Sequence, residues 1–136
     1  MSTIKTHKNM IKIYYSSESS IGKQTYGYVN ASFKDLLAID VLKSNVTGTQ
    51  WKDLAEALDC SIGDLIDKDH PEFTAHYDKT TNLDENGWID VLDKTPEVFN
   101  FPIVIVGEDF YQIKNPSDIE KYLDPNSQGI DEKKYI

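Results

Sequence analysis

The sequence contains no arginine; its fourteen basic residues are all lysine. Arginine grips carboxylates, phosphates and similar oxyanions with a rigid planar fork of donors, whereas lysine brings a single mobile charge. A mechanism built on an arginine oxyanion clamp is therefore excluded. Cysteine is almost as scarce. Cys60 stands alone, which excludes an intramolecular disulfide and any cysteine-rich zinc site. Positive charge is in deficit as well: fourteen basic against twenty-three acidic residues leave a net charge of -9. That balance disfavours nucleic-acid phosphates and anionic membranes as partners, since both need a positive surface.

Long apolar runs are missing too. After the polar, lysine-bearing stretch from Met1 to Asn9, the apolar segment extends only from Met10 to Tyr15. A secretory leader needs about seven to fifteen apolar residues, and a membrane helix about twenty. A cytoplasmic protein is the expectation. What the sequence does contain is core material: 39% hydrophobic residues, with eight Tyr, five Phe and two Trp in 136 residues. A chain of that length buries roughly two-thirds of its unfolded surface without a disulfide or metal staple. Three regions are expected: a flexible start at 1–9, one domain over 10–123, and a polar tail over 124–136.

Ile11 to Tyr15 alternates and is β-branched, as a strand should be. The serine-rich loop Ser16-Ser17-Glu18-Ser19-Ser20 offers hydroxyl caps to a helix running from about Ser20 to Ala31. Leu36 to Leu42 is a short apolar run of strand length, read here as a buried strand. Thr47-Gly48-Thr49-Gln50 has the form of a capping box. Behind it, Trp51, Leu54, Ala55 and Leu58 fall on one helix face. A shorter helix is expected from Ser61 through Ile66, ending before Pro71, then a loop at Asp78 to Asn82. Trp88, Ile89, Val91 and Leu92 mark another helix, closed by Thr95-Pro96.

Pro102 to Val106 is β-branched on both faces and belongs inside a sheet. Gly107-Glu108-Asp109 turns it into Phe110 to Ile113, the second arm of a hairpin. Asn115-Pro116-Ser117-Asp118 starts a last helix whose buried side carries Ile119, Tyr122 and Leu123. A β-α-β opening implies a parallel pair, and the hairpin adds antiparallel strands. The order predicts an α/β fold of thioredoxin type: about four strands in a mixed sheet, with a helical insertion and a C-terminal helix.

Three segments resemble the arsenate reductase/Spx family, over about residues 11–123. Ile13 through Thr25 resembles its first strand, cysteine loop and following Arg-Asn-Thr. Trp88 to Pro102, leading into Ile103, is similar to the helix that runs into its Arg-Pro-Ile-Val strand. Asn115-Pro116-Ser117-Asp118-Ile119 resembles its Arg-Pro-x-Glu-Val helix start. The resemblance places the family's nucleophilic cysteine at Ser19 and the second cysteine of its redox-switch members at Gly22. It places the three oxyanion arginines at Asp67, Phe101 and Asn115. It also implies a cis bond between Phe101 and Pro102, with Phe101 packed near Ser19 or Tyr15.

No catalytic residue is therefore expected. Arsenate reduction needs a thiolate that attacks and then leaves as a disulfide, and a serine without an adjacent base cannot replace it. The ligand loop implied by the resemblance is Ser16, Ser19, Ser20, Lys23, Phe101 and Pro102, with no metal and no cofactor. Ser19 reads most simply as a helix cap. Cys60, at the C-terminal end of a helix where the dipole disfavours a thiolate, reads as structural. His70 and His76 are six apart, which puts them on no common helix face, and they read as a solvated loop. Tyr14, Tyr15, Tyr26 and Tyr28 read as core, and Asp84-Glu85 and Glu108-Asp109 as charged caps and turns.

The expected function is that of a catalytically degenerate arsenate reductase/Spx-family protein, a non-redox binding or adaptor protein for an unknown protein or small ligand. The alternatives are an active arsenate reductase-like or glutaredoxin-like oxidoreductase, and an Spx-like transcription adaptor contacting RNA polymerase.

Overall fold

The computed structural model describes residues 11–32 and 36–123. The expectations for 1–9 and 124–136 lie outside the described residues. In chain order the elements are β1 (Ile11–Tyr15), α1 (Ser20–Ser32), β2 (Leu36–Asp40), α2 (Gly48–Ala57), α3 (Pro71–Thr74), α4 (Glu85–Lys94), β3 (Ile103–Val106), β4 (Asp109–Gln112) and α5 (Ile119–Leu123). Single 3-10 turns at Ile62–Leu65, Pro96–Val98 and Pro116–Asp118 link them. The sheet order is β2-β1-β3-β4, with β1 parallel to β2 and antiparallel to β3, and β3 antiparallel to β4. The fold is α/β with a four-stranded mixed sheet.

The two-residue period of a strand sends alternate side chains to opposite faces, and both faces are covered. Tyr14, Ile103 and Ile105 face a cluster completed by Trp51 and Leu54 of α2, Leu65, Val91 and Leu92 of α4, and Phe99. Ile11, Ile13 and Val104 face the other cluster, built with Val29 of α1, Ile113 and Ile119 of α5. Tyr15 stacks on Tyr26 with centroids 5.0 Å apart on that second face. Tyr28 is 40% exposed; the reading of Tyr28 as core is corrected.

Local chemistry explains most element ends. Thr47 Oγ1 accepts the Gln50 N–H at 3.2 Å at the start of α2. Asp84 Oδ1 accepts the Gly87 N–H at 2.8 Å at the start of α4. Asn115 Oδ1 accepts the Ser117 N–H at 3.3 Å ahead of α5. These are the side-chain acceptors that unpaired first-turn amides require. At the end of α2, Asp59 takes φ 56. The Asp59 N–H then reaches Glu56 O at 3.0 Å and the Cys60 N–H reaches Ala55 O at 2.9 Å, the paired bonds of a Schellman stop. In the hairpin Val106 faces Asp109, so the loop is Gly107-Glu108, and φ 63 at Gly107 suits a residue without Cβ. β4 consequently starts one residue earlier than its apolar pattern suggests.

Three expectations need correction. The run from Leu36 is an edge strand and not a buried one: among the described residues it pairs only with β1, and Leu37 is 44% exposed. Run length and composition do not distinguish an edge from a centre, because that depends on which strands pair later. A short helix, α3, occupies Pro71–Thr74, beyond the expected helix end. Pro71 ends nothing there; it sits in the first turn, where its missing N–H is harmless. Finally, no peptide bond among the described residues is cis, so Phe101–Pro102 is trans.

Gly63 marks the tightest packing in the insertion. A Cβ built there would lie 2.8 Å from Cε2 and Nε1 of the buried Trp88 ring. Gly63→Ala is expected to destabilise the fold by about 1–3 kcal/mol through overpacking, read as a lower urea midpoint at unchanged slope.

Candidate functional site

The loop after β1 and the segment before β3 meet at one end of the sheet. Ser16 is 2% exposed. Its carbonyl accepts the Ser19 N–H at 3.0 Å, and its Oγ accepts the Glu18 N–H at 3.3 Å. Asp40, closing β2, holds the same loop from the side: Oδ1 accepts the Ser17 N–H at 3.2 Å and the Leu42 N–H at 3.1 Å. Ser19 Oγ accepts the Gly22 N–H at 3.0 Å. That is the geometry of an N-cap side chain bonded to the third helical residue, so Ser19 caps α1.

The opposite wall is a second tied segment. The Asp67 N–H reaches Val98 O at 2.7 Å, the Asn100 N–H reaches Leu65 O at 2.9 Å, and Asn100 Nδ2 reaches Asp64 O at 2.7 Å. Ile66 and Phe99 form an antiparallel bridge between these stretches. His70 Nδ1 accepts the Glu72 N–H at 3.0 Å and caps α3. The imidazole accepts through Nδ1, so the neutral form bonded in this way carries its proton on Nε2.

A cavity of about 180 Å³ lies between the two walls, lined by Ser16, Glu18, Ser19, Asp67, His70, Glu97, Phe99 and Asn100. Of the six residues expected in the ligand loop, Ser16 and Ser19 line it. Ser20 is exposed and its Oγ accepts from Gln24 Nε2 at 2.9 Å. Lys23 is exposed, and Pro102 is buried with its carbonyl accepting the Ile113 N–H at 2.8 Å. Phe101 is half-buried outside both apolar clusters, with Lys114 Nζ 5.9 Å from its ring centroid. Phe101 is thus not among the residues that line the cavity with Ser19. The backbone bends at Phe101, whose N–H bonds to Asn100 Oδ1, and the bend breaks the alternation that would have kept the ring on the inner face. Phe99 takes that place, 3% exposed and 5.3 Å from Trp51 between centroids.

Sequence reading missed five lining residues: Glu18, His70, Glu97, Phe99 and Asn100. His70 is half-buried in a cap and not part of a solvated loop, although His76 is exposed. Glu18, Glu97 and Asn100 had no motif to mark them, being single polar residues on two segments far apart in the chain. Asp67 was reached through the resemblance, while Asn115 caps its own turn and does not line the cavity.

The electrostatics follow from the composition. Three carboxylates (Glu18, Asp67, Glu97) line the cavity against one histidine, with no lysine among the lining residues. An oxyanion there meets like charge at close range, which is unfavourable. Among the described residues no group of His, Cys, Asp and Glu is arranged to hold a metal ion. Cys60 lies elsewhere, in a groove beside α2. Burial, and then the nearby Asp64 and Asp59 carboxylates, push its thiol up from the usual value, so it is held as the less nucleophilic thiol.

Gly22 sets a hard steric limit on this loop. A Cβ at that position would stand 2.6 Å from the Ser16 carbonyl oxygen, which is already held by the Ser19 N–H. Alanine gains about 1 kcal/mol of helix propensity over glycine, yet Gly22→Ala is expected to destabilise by a net 1–3 kcal/mol or so. A higher urea midpoint for that variant would contradict the geometry. For the two phenylalanines, Phe99→Ala is expected to cost about 3–5 kcal/mol as a core ring. Phe101→Ala should cost clearly less, by comparison of midpoints at equal slope.

No family model and no curated protein matches the sequence. Solved structures do match in shape. The arsenate reductase from Vibrio cholerae superposes with a TM-score of 0.71 at 13% identity, covering 85% of this chain and 98% of that one. A proposed arsenate reductase from Yersinia pestis gives 0.70 at 14% identity, covering 82% and 98%. The YFFB (PA3664) protein gives 0.65 at 13% identity, covering 84% and 99%. At such identities the likeness shows the fold alone: the chain has the thioredoxin-like fold of these arsenate reductases.

Proposed function

We propose that this chain is a non-catalytic binding protein built on the arsenate reductase fold, taking a protein or small ligand at the cavity beside Ser19. The observation that carries the reading is the state of Ser19. Its hydroxyl oxygen caps α1 by accepting the Gly22 N–H at 3.0 Å, in a cavity walled by Glu18, Asp67 and Glu97. A thiolate nucleophile is absent at that position, and arsenate would enter against three carboxylates with no arginine to offset them. The same lining suits a neutral or cationic hydrogen-bond donor, because carboxylates only accept.

The oxidoreductase alternative depends on Cys60, the sole thiol. Cys60 shares no cavity with Ser19, and its thiol is pushed up in pKa by burial and two aspartates. Nothing in the cavity favours the narrower role of a transcription adaptor at RNA polymerase over other partners. No helix among the described residues is long and apolar enough to cross a membrane.

The purified protein is expected to reduce no arsenate above a no-enzyme blank, with glutathione or with thioredoxin as reductant. Ser19→Cys is expected to remain inactive, since a thiol alone restores neither the missing positive charge nor the resolving position closed at Gly22. Turnover that disappears in Cys60→Ser would overturn the reading and make Cys60 the nucleophile.

A further inference from the structure

His70 stands at a junction. On one side its Nδ1 accepts the Glu72 N–H at 3.0 Å and caps α3. On the other it lines the Ser19 cavity together with Glu18 from the loop after β1, Asp67 from its own segment and Glu97 from the turn before β3. Asp67 Oδ1 accepts the Asp69 N–H at 3.0 Å. Glu18 and Glu97 have no partner for their carboxylates among the described residues. The other charges around α3 are engaged or exposed: Lys79 Nζ holds Asp69 at 2.8 Å, Lys68 Nζ lies 5.1 Å from the Trp88 ring centroid, and Glu72 is exposed. No lysine lines the cavity.

We propose that His70 is a proton-operated switch on this cavity. Neutral, it caps α3 and leaves the cavity open; protonated, it lets go of the cap and turns its ring onto Glu18 and Glu97. The cap requires a lone pair on Nδ1, and protonation replaces that lone pair with an N–H. Two donors then face each other, so the bond to Glu72 cannot persist and that first-turn amide loses its acceptor. The imidazolium donates from both nitrogens, and two unpaired carboxylates border the same space. Each protonation state therefore has its own set of partners, which is what a two-state element needs. Imidazole is also the side chain that changes charge between about pH 5 and 8, a range in which carboxylates stay largely ionised.

The movement is confined to one turn. The His70 carbonyl still accepts the Phe73 N–H at 2.9 Å and the Thr74 N–H at 3.0 Å. Phe73 stays anchored, 0% exposed and 6.2 Å from Trp88 between ring centroids. The consequence falls on the cavity, because an imidazolium among its carboxylates occupies the acceptors that a cationic donor would use. As regulation of a ligand cavity the switch rests on the function proposed above. As a movement of His70 it is read on the free protein.

The experiment is NMR of the isotope-labelled protein at about pH 8 and about pH 5.5, either side of the imidazole range. At the higher pH the His70 ring is expected as the Nε2–H tautomer, its Cε1 proton giving an NOE to the Glu72 amide. At the lower pH that NOE is replaced by NOEs to side-chain protons of Glu18 or Glu97. His70→Asn keeps a cap that no proton removes, and its Glu72 amide should move far less over the same range. An NOE to Glu72 that persists once the ring is protonated would overturn the switch. So would a ring that leaves Glu72 and shows no NOE to either glutamate. Added n-butylammonium, the cationic probe, is expected to shift the Ser19 and Asn100 amides and to bind wild type several-fold more weakly at the lower pH. His70→Asn should show no such difference, and equal binding by wild type at both pH values would overturn the gate. Binding at neither pH counts against the ligand reading of the cavity, and the NOEs decide the switch without it.

Discussion

β1 and β3 pair in antiparallel register, with Tyr14 opposite Ile103 and Ile13 opposite Val104, and each strand is buried on both faces. Removing two such strands from water is the main favourable term available to a chain of this size. Because they run in opposite directions, the end of β1 lies beside the start of β3. The Ser16–Ser19 loop and the Phe99–Asn100 segment are therefore brought to the same edge of the sheet, although about eighty positions separate them in the chain. The cavity at Ser19 is a consequence of that register, and so is the choice of residues that line it.

What occupies that edge differs from what the resemblance implies, and the difference is chemical rather than topological. The helix N-terminus behind the loop would favour an anion. Here Ser19 Oγ serves the Gly22 amide, and the facing walls bring carboxylates and a histidine. The core that holds this fold is apolar and lies away from the site.

The helical insertion contributes twice. Its turn at Ile62–Leu65 and the stretch through His70 make one wall of the cavity, pinned by Asn100 to Asp64 and Leu65. Its other side, with α2 and α4, makes the groove that holds Cys60. Trp88 is shared between these roles: one edge meets Gly63, its ring lies 6.2 Å from that of Phe73 in α3, and it also lines the groove.

Much of the fold was legible in local pattern. The alternation at Ile11 to Tyr15, the helix face from Trp51, the caps at Thr47, Asp84 and Asn115, and the turn at Gly107 all express chemistry between residues close in sequence, which periodicity and capping read directly. Composition alone removed the arginine clamp and the disulfide. The edge position of β2, the bend that turns Phe101 away while Phe99 fills the core, and the recruitment of Glu18, His70, Glu97 and Asn100 into one cavity were decided by the tertiary structure. Each depends on contacts between segments far apart in the chain, and a pairing of that kind leaves no periodic trace in the sequence on either side of it.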